Sequence, residues 1–480
     1  MRAETGAFSE YLTRIGRALD QHLEGERSDP VTTIEEWKPR FTGSLPERGV
    51  GAAAVVAELE SGLIPNGPRM SESGFWGFIT TGPTTIPAVA QAAALVAAPQ
   101  RYTINAFNLL EELSLDWLGD LCGLSSGMKG LYSSGGSTAN LVALGAARQW
   151  AFEQIGVDPS ARAFGDRATA IYASTEVHHT VQRSAGVLGL GRAAVRVIPT
   201  DDRQRMEVGA LQASLKRDRS EGVLPVAVVG TCGTTNTGAI DPLRPIGELA
   251  AELGVWFHVD GAYGLPGILD ERIAARFDGL GLADSVIVDP HKWLAAPVGV
   301  AATFVRDRTI LHRAFTQEPA EYLEGSFAED GDVEVSMDSL GVPFGDFGVE
   351  LSSPSRGVIV WSILLEQGRE GVRERIRRDN DFARHVADRA TRHPRLESLT
   401  EPELSIACIR YSIQGVDDLN ELNARLLRRL VRTTPFLPSA TVVHGAFAIR
   451  PCFINPRTTW ADVDGFVDAV VAIGDELTDR

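Results

Sequence analysis

The sequence predicts an α/β fold: a large, mostly parallel sheet covered by helices, joined to a smaller α+β C-terminal domain. Three observations carry this expectation. Short, nearly continuous apolar runs alternate with helical patterns from about residue 115 to residue 305. At 480 residues the chain is too long for one ordinary core, and 44% hydrophobic with 23% charged residues is the composition of a folded globular protein. A strand covered on both faces has no polar side to show, so a parallel sheet reads as apolar runs rather than as strict alternation.

The first 72 residues contain one amphipathic helix, over residues 8–23, and then a passage punctuated by Pro46, Gly49, Gly62, Pro65 and Pro68. Such a segment cannot enclose a core, so it is expected to pack on something else, another subunit included. Residues 73–355 are expected to form the large domain. Within it, 115–122 and 139–151 read as helices around an extended stretch at 130–132. Runs at 168–172, 194–198, 225–230, 255–259, 285–288 and 300–305 read as strands, and helices are expected from about 178, over 206–216 and over 243–253. Residues 316–348 turn acidic, Gly-rich and aperiodic, as long functional loops do. Residues 356–480 are expected to form the small domain, with a long helix over 359–367 and 372–392, strands at 405–411 and 446–454 flanking a helix at 417–431, and a closing helix at 461–477.

Lys and Arg number 46 against 63 Asp and Glu, a formal net charge of −17. That field repels phosphate backbones and anionic lipid, so no nucleic acid and no membrane is expected as a partner. The run Arg373, Arg375, Arg377, Arg378 is interleaved with Glu370, Glu374 and Asp379 and reads as a solvated helix face. The most apolar stretch, residues 88–98, is broken by Gln91 and falls well short of the roughly 20 residues a membrane-spanning helix needs. The N-terminus does not read as a signal peptide, and Cys122, Cys232, Cys408 and Cys452 stand singly with no C-x-x-C pairing. A soluble, cytoplasmic protein is expected.

Candidate chemistry gathers where strands end. Ser133-Ser134-Gly135-Gly136-Ser137-Thr138-Ala139-Asn140 follows a strand and opens a helix, a place where free N–H groups and hydroxyls hold an anion; a Ser cap on a Gly turn is the plain alternative. Trp256-Phe257-His258-Val259-Asp260 delivers a carboxylate to the carboxyl end of a strand, where open sheets bind ligands, although an Asp there also caps helices. Asp284-Ser285-Val286-Ile287-Val288-Asp289-Pro290-His291-Lys292-Trp293 sets a lone lysine among apolar residues, which is costly unless the amine is paired or used covalently. Val177-His178-His179-Thr180 is another strand exit; either histidine alone is more often structural, and no third ligand at a recognisable interval supports zinc. Thr231-Cys232-Gly233-Thr234-Thr235 by itself says turn.

The order of these pieces, with Lys292 lying 32 positions after Asp260, resembles the group II pyridoxal-phosphate-dependent decarboxylases, the family of aromatic-amino-acid, glutamate, histidine and tyrosine decarboxylases. The resemblance runs from about residue 74 to 361 and resumes in Ile449-Arg450-Pro451-Cys452-Phe453-Ile454-Asn455 with Thr458-Thr459. It implies the PLP-dependent transferase-like fold (fold type I) and pyridoxal 5'-phosphate as cofactor. It further implies that Lys292 forms the Schiff base, that Asp260 pairs with the pyridine nitrogen and that His178 stacks on the ring. Gly136, Ser137 and His291 match phosphate contacts, Thr234 and Ala262 match positions around the ring, and Phe78 and Thr81 fall where the family lines its substrate site. Tyr322 resembles the family's mobile-loop tyrosine that protonates the carbanion, with one extra residue between Phe315 and Tyr322. Arg356 matches an arginine-containing segment before the C-terminal domain and is given no catalytic role.

Two departures stand out: Asp289 occupies a position where many relatives carry Asn beside the phosphate, and Phe78-Ile79 alters the aromatic wall. The expected reaction is decarboxylation of an L-amino acid to the amine and carbon dioxide. The rivals are an aldehyde-forming oxidative deaminase, another carbon-carbon lyase on the same cofactor, and a cofactor-binding homologue without turnover. The resemblance also implies a homodimer.

Overall fold

The computed structural model describes residues 7–24, 38, 43, 45–101, 106–316 and 341–479. Their strands are β1 (Phe75–Trp76), β2 (Lys129–Ser133), β3 (Thr169–Ser174), β4 (Val195–Ile198), β5 (Leu224–Thr231), β6 (Trp256–Asp260), β7 (Ser285–Val288), β8 (Ala301–Val305), β9 (Leu396–Ser398), β10 (Ile409–Tyr411), β11 (Leu437–Val443) and β12 (Ala446–Arg450). The large sheet has seven strands in the order β2-β8-β7-β6-β5-β3-β4. The β7-β6-β5-β3-β4 pairings are parallel, whereas β8 runs antiparallel to both β7 and β2. Strands β3, β6, β7 and β8 are buried at every residue, as their mostly apolar sequences lead one to expect, and β6 buries His258 and Asp260 with the rest.

Helices Gly136–Glu153, Val208–Ser220 and Leu243–Glu252 cover this sheet. The first of them lies closest to it. Ala139 and Ala143 meet Ala262, Ile287 and Ala301 in a small cluster, so side chains no larger than methyl bring the helix N-terminus near the strand ends.

The small sheet has the order β1-β11-β12-β10-β9. Its core gathers Trp76, Phe382, Phe436, Phe453 and Phe466, with the Trp76 ring stacked on Phe436 at 5.5 Å. The domain boundaries expected at 72/73 and 355/356 therefore do not follow the sheets: β1 adds in parallel to β11 of the C-terminal sheet, and the helix Gly357–Arg392 serves both cores. Its Val358, Ile359, Val360 and Ile363 pack in the large core, its Phe382, Val386 and Ala390 in the small one, and a kink at Gly368 (φ 62°) separates the halves.

The arginine run differs from a plain solvated face. Arg373 pairs with Glu370, Arg377 with Glu271 and Arg378 with Asp379, but Arg375 turns inward and donates to the Ile454 carbonyl at 2.9 Å. The apolar stretch at 88–98 forms the helix Thr85–Ala97, and no helix among the described residues is long and apolar enough to cross a membrane. The N-terminal helix Ala7–Glu24 is tied back by the Arg14–Glu60 ion pair.

Candidate active site

Strands β3, β5, β6 and β7 are parallel, so the segments that follow them emerge at one edge of the large sheet, the edge where such sheets bind ligands. A cavity of about 210 Å³ opens there. Gly136, Ser137 and Asn140 reach it from the helix after β2, Glu176, His178 and Thr180 from the exit of β3, Thr231, Gly233 and Thr235 from β5, Asp260, Ala262 and Tyr263 from β6, and Asp289, His291 and Lys292 from β7. Residues scattered over 157 positions of sequence thus line one space.

Asp260 closes β6, 5% exposed. Both its oxygens are occupied: Oδ2 accepts from Asn140 Nδ2 at 3.1 Å and Oδ1 from the Ala262 backbone N–H at 3.1 Å. Asn140 is itself held, because its Oδ1 lies 3.1 Å from His258 Nε2. His258 sits two residues before Asp260 on β6 and so projects to the same face of the sheet. Burial pushes the His258 pKa down to about 4, and Ser285 Oγ stands 2.9 Å from its Nδ1.

Lys292 is presented by a tight succession of turns. The Lys292 N–H donates to the Asp289 carbonyl, Ala295 N–H to the Lys292 carbonyl, and Ala296 N–H to the Pro290 carbonyl. Ala295 adopts φ 50°, a left-handed conformation that a residue with a Cβ takes only at a cost, and such strain collects at functional sites. The Lys292 Nζ lies 3.0 Å from Asp289 Oδ2, while Asp289 Oδ1 is buried with no hydrogen-bond partner among the described residues. His291 donates from Nδ1 to the Val300 carbonyl at 2.8 Å.

Two glycines open the anion-binding end. Gly135 takes φ 148° as the cap of the helix, and a Cβ added at Gly136 would lie 2.6 Å from Asp289 Oδ2. The absence of a Cβ at Gly136 thus leaves room for the Asp289 carboxylate against the helix N-terminus. His178 completes the other side. Its Nδ1 is 2.8 Å from Thr180 Oγ1, and its ring lies against that of His179 at 4.1 Å. Burial holds the His178 pKa below the ordinary imidazole value, against the opposing pull of Asp260, with Lys292 and His179 adding to the depression.

Of the residues singled out in the sequence, Gly136, Ser137, His178, Asp260, Ala262, His291 and Lys292 share this cavity. Thr234 and the two expected substrate residues do not line it. The Thr234 hydroxyl is spent inside its own loop, accepting from Ala239 N–H at 3.1 Å and lying 3.1 Å from Thr237 Oγ1; the neighbours Gly233 and Thr235 face the cavity instead. Phe78 is 71% exposed in a left-handed conformation (φ 57°), Thr81 is buried, and Ile79 takes the lining position. Tyr322 lies outside the described residues. Sequence reasoning assigned nothing to Asn140, Thr180, His258 or Arg450. The Arg450 guanidinium donates to the carbonyls of Phe78, Thr235 and Asn236, which binds the small domain to the β5 loop.

These side chains fit pyridoxal phosphate. A glycine-faced helix N-terminus suits the phosphate, a lysine amine suits the aldehyde, a doubly oriented carboxylate suits the ring nitrogen, and among the described residues one Asp289 oxygen in this lining has no partner.

Comparison with known proteins agrees with this chemistry. Over the full length, the chain is 30% identical to the aromatic-L-amino-acid decarboxylase of Bacillus atrophaeus, covering 98% of this chain and 97% of that one. It is 31% identical to the L-2,4-diaminobutyrate decarboxylase of Rhizobium meliloti (strain 1021), over 90% of this chain and 84% of that one. In three dimensions it superposes on Oryza sativa TDC, solved with PLP and tryptamine, with a TM-score of 0.89 at 24% identity and 99% coverage of both chains, a likeness of fold. Residues 92–412 match the model of the pyridoxal-dependent decarboxylase conserved domain, and with that match the chain belongs to the pyridoxal-dependent decarboxylases, enzymes that act on amino acids.

Proposed function

We propose that this enzyme removes carbon dioxide from an L-amino acid and releases the amine, with Lys292 as the covalent anchor of the cofactor. The single observation that carries the assignment is the Lys292 amine and the Asp260 carboxylate lining one cavity from adjacent strands. When bound, pyridoxal phosphate supplies an electron sink for the pair left behind as carbon dioxide departs. Asp260, fixed by Asn140 and the Ala262 N–H, keeps a proton at the pyridine nitrogen. Gly136 and Ser137 offer the helix N-terminus to the phosphate, and His291 stands beside them. His178 covers the ring face, and Tyr322 delivers the proton that the substrate Cα takes up after decarboxylation.

Two identical chains form the assembly. Phe8, Leu12, Leu19 and Leu23 lie exposed along one face of the N-terminal helix, the unsatisfied stripe of a segment built to pack on a neighbour. Four buried cysteines, none in a disulfide, accord with a reducing cytoplasm.

The test is a panel of L-amino acids assayed for carbon dioxide, amine and peroxide together. Amine and carbon dioxide in equal amounts without peroxide are expected, and Lys292→Ala is expected to lose both turnover and the cofactor label fixed by borohydride. Equal peroxide and aldehyde would overturn the simple decarboxylation, and a label retained in Lys292→Ala would overturn the anchor. Tyr322→Phe, run on the same panel, is expected to divert product from amine toward aldehyde.

A further inference from the structure

Between β3, β6, β7 and the helix Gly136–Glu153 lies a chain of buried polar groups whose hydrogens run in only one direction. Trp256 Nε1, a pure donor, gives its hydrogen to Ser285 Oγ at 2.8 Å. The Ser285 hydroxyl can give or accept at His258 Nδ1, 2.9 Å away, and the Asp260 carboxylate decides which. It takes a hydrogen from the Asn140 NH₂, so Asn140 Oδ1 faces His258 Nε2 at 3.1 Å, which carries the hydrogen and leaves Nδ1 to accept. A flipped amide would set its oxygen against the Asp260 carboxylate and its N–H against the His258 N–H, two repulsive contacts in a buried site.

The Asn140 NH₂ therefore branches. One hydrogen goes to Asp260 Oδ2 at 3.1 Å and the other toward Thr180 Oγ1 at 3.3 Å. Thr180 Oγ1 lies 2.8 Å from His178 Nδ1 and, with its hydroxyl hydrogen still free after accepting from Asn140, can give that hydrogen to the imidazole. Asn140, Thr180, His258 and Ser285 are all buried, with Asn140 and Thr180 at the cavity wall and His258 and Ser285 behind it.

We propose that Asn140 is a positioning residue that serves both sides of the cofactor site at once, aiming the Asp260 carboxylate and, through Thr180, keeping Nδ1 of His178 an acceptor so that the imidazole bears its proton on Nε2. This rests on the reading of Asp260 and His178 as cofactor-facing groups. The Trp256–Ser285–His258 chain is the backstop that prevents the amide from turning over. Burial, which holds both histidines toward the neutral form, keeps the chain directional at neutral pH. A histidine with a fixed tautomer offers a donor at one known position, whereas a tautomer mixture would offer it only part of the time.

The experiment uses full-length protein labelled with ¹⁵N-histidine, with and without pyridoxal phosphate, and reads the ring nitrogens by long-range ¹H–¹⁵N NMR at neutral pH. The His178 signals are identified by their loss in His178→Gln. The proton is expected on Nε2 in the wild type and in Thr180→Ser, and on both nitrogens in exchange in Thr180→Val, which keeps the side-chain shape without the hydroxyl. Thr180→Val is also expected to lose about tenfold in kcat, the rate equivalent of one hydrogen bond, with Thr180→Ser restoring it. A proton on Nδ1 in the wild type overturns the proposal, as does a Thr180→Val spectrum identical to the wild type. The two readings fail separately: absence of amine release in the substrate panel overturns the decarboxylase assignment, and the wrong tautomer overturns the relay.

Discussion

Asp260 and Asp289 are the same residue type at the same edge of the same sheet, one at the end of β6 and the other one residue past β7, and both are buried. Their surroundings are opposite. Asp260 has both oxygens engaged by groups that do not move, an amide side chain wedged by His258 and a backbone N–H. Asp289 has one oxygen on the flexible amine of Lys292 and one with no partner among the described residues. A buried carboxylate with spare capacity is costly, and the cost is borne only while the lysine stays beside it. The first carboxylate is built to hold a fixed charge in place. The second holds the lysine amine in the cavity, and under the proposed covalent role of Lys292 it would lose that partner.

The largest effect is expected where the fixed charge is removed. Asp260→Ala should lower kcat by about 10² to 10³, the loss that follows removal of one preorganised electrostatic group, as measured by carbon dioxide release at saturating cofactor. Asp289→Asn should act in the other direction on cofactor binding. The substitution removes a negative charge that touches the Gly136 cradle and also removes the ion pair that stabilises Lys292 before the cofactor arrives. Both changes favour the loaded state, so the cofactor Kd should fall about tenfold in a fluorescence titration of cofactor-free protein. A Kd that rises would show that Asp289 acts chiefly by placing Lys292, and the contrast between the two carboxylates would then rest on geometry rather than charge.

The difference between the two aspartates also marks what was legible in the sequence. Strands β5 to β8 were readable because burial on both faces leaves a nearly continuous apolar signature, and Asp260, Lys292 and His178, at or four residues past a strand end, stood out through the order and spacing that resemble the decarboxylases, since Asp260 and His178 each also had a structural reading. Strand β1 was not, since two residues carry no period, and its pairing with β11 joins positions 362 apart. The β11 strand itself, half exposed and containing Pro438, gave a weak pattern for the same reason that edge-facing strands do. Thr234, Phe78 and Thr81 were placed by resemblance to single positions, and the structure turns the nearby Gly233, Thr235 and Ile79 to the cavity, a difference of one or two residues that loop geometry controls and sequence patterning does not. Asn140 and His258 did carry a signal. Asn140 is one helical turn beyond Gly136 and His258 is two residues before Asp260, so both periodicities aim them at the site.

The smallest and most specific prediction concerns that backstop. His258 is wholly buried with a pKa of about 4, against about 6.5 for the unfolded chain. A depressed pKa means that the folded state binds the proton less readily than the unfolded one, so the contribution to stability is complete above pH about 6.5 and drains away as pH falls toward 4. The full difference is on the order of 3 kcal/mol, and the part lost between pH 6.5 and pH 5.5 is on the order of 1 kcal/mol. His258→Gln retains a hydrogen-bond donor near Asn140 but does not titrate. Its unfolding midpoint in urea should start lower than that of the wild type at pH 7.5 and decline less steeply between pH 6.5 and 5. Parallel declines in the two proteins would mean that protonation elsewhere sets the acid limit, and that the fixed carboxylate does not depend on the neutrality of the histidine behind it.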